Sequence, residues 1–230
     1  MRLPAVFAAV VLFCSVAPHT QRIVAPGLVL WAWERPEDLR FIDPATTGIA
    51  YLAATASIHR DGSVAWRFRQ QPLATPPHTT RIAVVRIESP PQYVFPEPAG
   101  LVEPLVAAAK QRDVEALQID FDARASERRF YRSLLEQLRK TINVPIGITA
   151  LASWCESDNW IDANVVSEAV PMFFRMGLGE SKNMPMAPIC RHATGVSTDE
   201  PWPSQHPGRL YVFNPKPWTE AAYREVLKNQ

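Results

Sequence analysis

The feature that most constrains this 230-residue chain is the spacing of its apolar runs. Eight segments of strand length recur along it: Gly27–Trp33, Gly48–Ile58, Arg81–Glu88, Ala116–Phe121, Val144–Leu151, Val170–Met176, Ala193–Ser197 and Arg209–Phe213. Asp61-Gly62 is a strong hairpin signal and extends the second run back through Ser63–Phe68. Between the runs lie long loops, such as the proline-rich Gln70–Thr80, and helical patterns. The clearest helix is Ser126–Ile142, where Phe130, Leu134, Leu135, Leu138 and Ile142 form a 3.6-residue stripe and basic and acidic residues take the other faces. Leu101–Lys110 and Thr219–Lys228 read as helices, and Asp162–Glu168 as a shorter one. Strands alternating with helices indicate the α/β class with parallel strands. Eight such units predict a compact (β/α)8 TIM-type barrel with some short or missing helices, above all after strands one, two and seven. A doubly wound open sheet is the competing architecture, and the absence of a GxGxxG or Walker-type loop removes its nucleotide-binding form.

Residues 1–22 stand apart from this pattern. Arg2 followed by an apolar run to Ala17 fits a signal peptide or N-terminal anchor better than a membrane span of ~20 residues. Residues 23–230 then form a single barrel domain. Export would place the protein in the periplasm or outside the cell, touching the membrane only through an uncleaved anchor. Cys14 falls in the leader, which leaves Cys155 and Cys190 as an even pair, expected to be disulfide-bonded in an oxidising compartment. No His/Cys cluster has zinc spacing, and no cofactor is expected.

Composition narrows the classes further. With 47% hydrophobic and 20% charged residues the chain is not disordered. A net charge of +1 lacks the basic footprint of a nucleic-acid binder, and a monomer is expected. There are 22 prolines, about twice the usual ~5%, against only nine glycines, so the loops are stiff. Pro26, Pro77, Pro145, Pro171 and Pro207 fall just before or at strand starts, where a missing N–H costs little.

In a barrel of this kind the chemistry gathers at the carboxyl ends of the strands. Strand four ends Gln118-Ile119-Asp120-Phe121-Asp122, and alternation puts Gln118, Asp120 and Asp122 on the inner face. Acidic groups entering an interior are costly unless paired or used. Asp122 is the expected general acid, with Asp120 orienting it and Glu88 or Glu200 as second carboxylate. The other strand ends supply substrate contacts in Trp33, Glu34, Arg86, Gln118, Trp154, Arg175, Asp199, Asn214 and Trp218. Tryptophan faces stack on sugar rings, and carboxylates hydrogen-bond hydroxyls, so the expected ligand is carbohydrate. Two other readings remain open. Arg86 and Arg175 could neutralise Asp120 and Glu88 in a structural network. Alternatively, Asp120, Asp122 and Glu88 could hold Mg²⁺ or Ca²⁺.

The segments VRIE (85–88), LQIDFDA (117–123), ASWC (152–155), VPMFFRMG (170–177), GVSTDE (195–200) and FNPKPW (213–218) together resemble a family of uncharacterised bacterial proteins that carry a domain-of-unknown-function label. The resemblance implies a glycoside-hydrolase-like TIM barrel and names no activity. A more distant likeness is to chitinase-type glycoside hydrolases, whose fourth strand carries D-x-x-D-x-D-x-E ending on the general acid. Here the frame reads Glu115, Gln118, Asp120, Asp122, so the third position matches and the acid position holds a shorter Asp. The combined expectation is an exported glycoside hydrolase acting on a poly- or oligosaccharide, or else a non-catalytic barrel that binds a glycan or an envelope partner.

Overall fold

The computed structural model describes residues 21–91, 100–158, 160–176 and 186–230. Apart from Gln21 and Arg22, the expected leader lies outside the described residues, as does Gly177 of the VPMFFRMG segment.

Eight strands close into a barrel: β1 (Leu28–Ala32), β2 (Thr47–Ile58), β3 (Arg81–Glu88), β4 (Ala116–Asp120), β5 (Ile146–Leu151), β6 (Glu168–Met172), β7 (Ala193–Ser197) and β8 (Arg209–Phe213). Each pairs in parallel with the next in sequence, and β8 returns to pair with β1, so the parallel sheet has no open edge. The Asp61-Gly62 turn forms the predicted hairpin, which lays Val64–Phe68 antiparallel on the far end of β2. A short parallel ribbon joins Glu37–Asp38 to Leu73–Ala74.

The described residues contain three α-helices: α1 (Val102–Ala109) after β3, α2 (Arg128–Thr141) after β4, and α3 (Glu220–Lys228) after β8. The helical shell is thus thinner than a full (β/α)8 ring. The amphipathic stripe of α2 buries Phe130, Tyr131, Leu134, Leu135 and Leu138 against the outer face of the barrel, each worth roughly 1.5–3 kcal/mol for a fully buried side chain. The Thr219 hydroxyl caps α3 by accepting from the Ala222 N–H at 3.1 Å.

Two elements depart from the sequence reading. Asp162–Glu168 is not a helix. The Asp162 carbonyl accepts from Val165 and Val166, the Asp162 side chain accepts from the Asn164 N–H, and Glu168 already opens β6. The strand reading wins because Glu168 is buried at the base of the barrel, paired with Arg209 and accepting from the Tyr211 hydroxyl at 2.7 Å. Pro171 lies inside β6, not at its start. The Phe173 N–H donates toward β7, to the Gly195 carbonyl, so the missing donor two residues earlier falls on that same side. Accordingly β6 has five register pairs with β5 and only one, Gly195 with Met172, with β7.

The barrel interior is a packed core. Val29, Trp31, Ala50, Leu52, Ile82, Val84, Val170 and Tyr211 fill it, and Trp31 donates its indole N–H to Gln118 Oε1 at 2.8 Å. Below, Arg209 donates to the carbonyls of Ile23, Ala25 and Pro26, which seals the base with the incoming chain. The Cys155–Cys190 disulfide forms as expected, with Cα atoms 5.8 Å apart and both residues fully buried in the outer layer.

A methyl group at Gly195 would lie 3.0 Å from Trp31 Cη2 and 3.1 Å from the Pro171 carbonyl oxygen, both fixed in the interior. Gly195→Ala is therefore expected to cost about 1–3 kcal/mol in denaturant unfolding by overpacking. Gly27→Ala, where a Cβ would meet nothing within 4 Å, should stay within about 0.5 kcal/mol.

Candidate functional site

A cleft of about 360 Å³ opens at the carboxyl ends of the strands, with Trp31 in its floor. One wall is aromatic. Phe174 stacks on Phe213 (centroids 5.8 Å, planes 6° apart), Trp33 meets Phe213 edge-on at 6.0 Å, and Trp31 meets Phe174 at 6.2 Å. β4 and β8 lie four strands apart in the ring, so Asp120 on β4 stands across the barrel from Phe213 on β8. Thr149 on β5 donates its hydroxyl to Asp120 Oδ1 at 2.7 Å.

A guanidinium flanks the wall at each end. Arg86, the register neighbour of Asp120, lies over Trp33 at 5.9 Å, and Arg175 lies over Phe213 at 5.5 Å. Asp122 completes the lining as an exposed carboxyl above Asp120.

Asp120 is the electrostatically distinctive group. Burial penalises its charged form most and pushes its pKa from 3.8 to about 6. The Thr149 hydrogen bond opposes this, the neighbouring Asp122 charge adds to it, Arg86 lowers it and Glu88 raises it again.

Of the residues picked from sequence, the cleft collects Asp120, Asp122, Trp33, Arg86 and Arg175. Gln118 is interior but one layer down, beneath Asp120, where it accepts from Trp31. Glu88 sits at the rim, 3.3 Å from Arg86 and accepting from the Ser57 hydroxyl, so it does not join Asp120 and Asp122 around a cation. Among the described residues no three acidic, histidine or cysteine side chains converge as metal ligands. Glu200 reaches the cleft only indirectly, accepting from the Arg175 backbone N–H at 2.9 Å. Glu34 is engaged outside it by Arg67 at 2.9 Å, and Asp199 accepts from the hydroxyl of Ser197, at the end of β7.

Three further residues stand apart from the cleft. Trp154 is buried in the outer layer, edge-on to Trp160 at 4.9 Å. Trp218 is buried against the outside of the barrel, donating its indole N–H to the Trp31 carbonyl at 2.9 Å. Asn214 is buried in its loop, accepting from the Thr198 hydroxyl at 2.7 Å. Each follows a strand end in sequence, but its loop turns outward and the side chain packs on the shell.

The sequence reading missed Thr149, Phe174 and Phe213. Alternation along β5 and β8 carries the signal for Thr149 and Phe213, both in phase with inward residues. Phe174 lies beyond the end of β6, where alternation no longer applies. No protein-family model, curated protein or solved structure matches this chain.

The Asp120 shift has a stability consequence with a definite sign. Its folded-state pKa is raised, so between about pH 4 and 6 the native state binds more protons than the unfolded chain. Stability from this group is therefore full below its unfolded pKa and lost as pH rises through about 6. The shift corresponds to about 3 kcal/mol. Asp120→Asn keeps an acceptor for Thr149 and removes the buried charge, so it should stabilise the protein by about 1–3 kcal/mol at pH 8 and leave it nearly unchanged at pH 4. Denaturant unfolding at the two pH values checks this.

Proposed function

We propose that this chain is a carbohydrate-active protein of the glycoside-hydrolase type, acting on an oligo- or polysaccharide held against the aromatic wall. The observation that carries the reading is a carboxyl group with pKa near 6, buried in a cleft opposite that wall and beside a second, exposed carboxyl. A sugar ring offers an apolar face to Trp33 and Phe213 and hydroxyls to Asp122, Arg86 and Ser153. Asp120, protonated in mildly acidic solution, would give its proton to the leaving glycosidic oxygen as the C–O bond breaks. Asp122 would stabilise the positive charge developing at the anomeric carbon, and water would add there and return a proton to Asp120. These roles are the reverse of the sequence expectation, because burial acts on Asp120 and leaves Asp122 open to solvent.

The barrel itself we read as a TIM-type (β/α)8 architecture reduced in its helices. Support comes from eight parallel strands in sequence order, closure of β8 on β1, and a site at the carboxyl ends. It agrees with the resemblance in the segments 85–88, 117–123, 152–155, 170–177, 195–200 and 213–218. An exported protein is supported by the leader pattern of residues 1–22 and by the Cys155–Cys190 disulfide. No helix of the described residues is long and apolar enough to cross a membrane.

A non-catalytic glycan-binding or envelope-binding barrel is the second reading. It is favoured by Glu88 and Glu200, both engaged with neighbours, which leaves Asp122 as the one further carboxyl lining the cleft among the described residues.

Incubation with a panel of glycans, following reducing-end release, tests the pair. A hydrolase loses activity as pH rises through about 6, and Asp120→Asn lowers its rate by roughly 10²–10⁴ with glycan binding retained. Trp33→Ala weakens binding in either case. Binding without release at any pH favours the second reading, and absence of both activity and binding overturns the proposal.

A further inference from the structure

We propose that Arg175 recognises an anionic group, so that the saccharide taken by this cleft is acidic, bearing a carboxylate or a sulfate. The inference rests on the carbohydrate reading and adds the substrate class.

Arg175 adopts φ 54°, a left-handed conformation uncommon for a residue with a Cβ, and its backbone N–H is held by Glu200 Oε1 at 2.9 Å. In an extended strand, successive side chains point to opposite faces. Beyond the end of β6 that rule is broken, and both Phe174 and Arg175 are brought onto the Phe213 ring. The chain therefore accepts an unfavourable backbone conformation that sets a guanidinium in the cleft.

That guanidinium has no acidic partner among the described residues. Arg35, Arg67, Arg86, Arg124 and Arg209 each pair with a glutamate, whereas Arg175 contacts an aromatic face and donates none of its side-chain N–H groups within the described residues. Nor does it neutralise Asp120. That task falls to Arg86, which is adjacent in register and already paired with Glu88. A guanidinium lying over a ring keeps its N–H edge available, and the planar fork matches carboxylate or sulfate oxygens in a bidentate fashion. Glu200 acts here as a positioning residue. It holds the backbone of Arg175 and does not itself line the cleft.

Affinity electrophoresis of the full chain tests this with two matched pairs of polysaccharides: polygalacturonate against its fully methyl-esterified form, and dextran sulfate against dextran. The expected result is retardation by the acidic member of at least one pair and not by its neutral partner; the pair that responds tells carboxylate from sulfate. Arg175→Gln should weaken that binding tenfold or more, and Arg175→Lys should recover part of it. Glu200→Ala should reproduce the loss and Glu200→Gln, which keeps an acceptor oxygen, should restore affinity. Arg60→Gln removes the same charge at the exposed hairpin turn and should stay within twofold of wild type.

Equal loss in Arg60→Gln would reduce the effect to net charge and overturn the inference. Binding to neutral glycans alone would also overturn it while leaving the carbohydrate reading intact. Binding to none of the four, and to no other glycan, would overturn both.

Discussion

The structure depends on one side chain spanning the barrel. Trp31 leaves β1, crosses the interior and donates to Gln118 on β4 at 2.8 Å, while its ring packs on Tyr211 at 5.3 Å and over the space left by Gly195. A closed ring of eight strands has an interior that side chains must fill. Here one indole does much of that filling and also divides the barrel in two. Below it the interior is apolar down to Ile23 and the Arg209–Glu168 pair; above it the cleft begins. Its backbone is fixed from outside as well, since Trp218 donates to its carbonyl. The floor of the site is thus set by the same contacts that hold the barrel closed.

Above that floor the energetics run the other way. Asp120 is buried with one hydroxyl donor and a second carboxyl nearby, and its register neighbour Arg86 is shared with Glu88. Glu168, at the base, is also buried and its pKa is also raised by burial, but Arg209 and Tyr211 both oppose the shift. The contrast separates a buried acid that the fold pairs from one that it leaves mostly uncompensated. Carboxyls of the second kind gather at functional sites, because burial raises their pKa toward the pH at which a group can both give up and take a proton.

Much of this was legible in the chain where period-2 alternation held. The eight strands, the hairpin at Asp61-Gly62, the stripe of α2 and the inward set Gln118, Asp120 and Arg86 all follow from local pattern. Legibility failed where the chain leaves regular structure. Trp154, Asn214 and Trp218 come one to five residues after their strands, and no local rule says whether a loop side chain turns to the mouth or to the shell. Glu168 reads as helical because a buried acid in a strand makes sense only with Arg209, 41 residues away. The engagement of Glu200 with the Arg175 backbone likewise depends on a φ that sequence does not reveal.

With only three α-helices among its described residues, the barrel must satisfy its loops by other means, and the chain does this chiefly with guanidinium groups. Nineteen of its 24 basic residues are arginine. Arg35 donates to the carbonyls of Asn214, Pro215 and Lys216 while paired with buried Glu37, which in turn accepts from the Trp218 N–H. Arg69 donates to the carbonyls of Trp33 and Arg35, and Arg209 to those of Ile23, Ala25 and Pro26. Helical connections satisfy their own carbonyls internally, whereas loops need outside donors. Five N–H groups in a fixed fork let one arginine serve several carbonyls together, which an ammonium on a flexible stem does less well. The Cys155–Cys190 bond ties together the two successive crossovers that follow β5 and β6. Its 35-residue separation corresponds to about 4 kcal/mol of unfolded-chain entropy. An arginine in the mouth of the cleft that holds neither a carbonyl nor a carboxylate among the described residues is therefore an exception to the pattern that builds the rest of the described molecule.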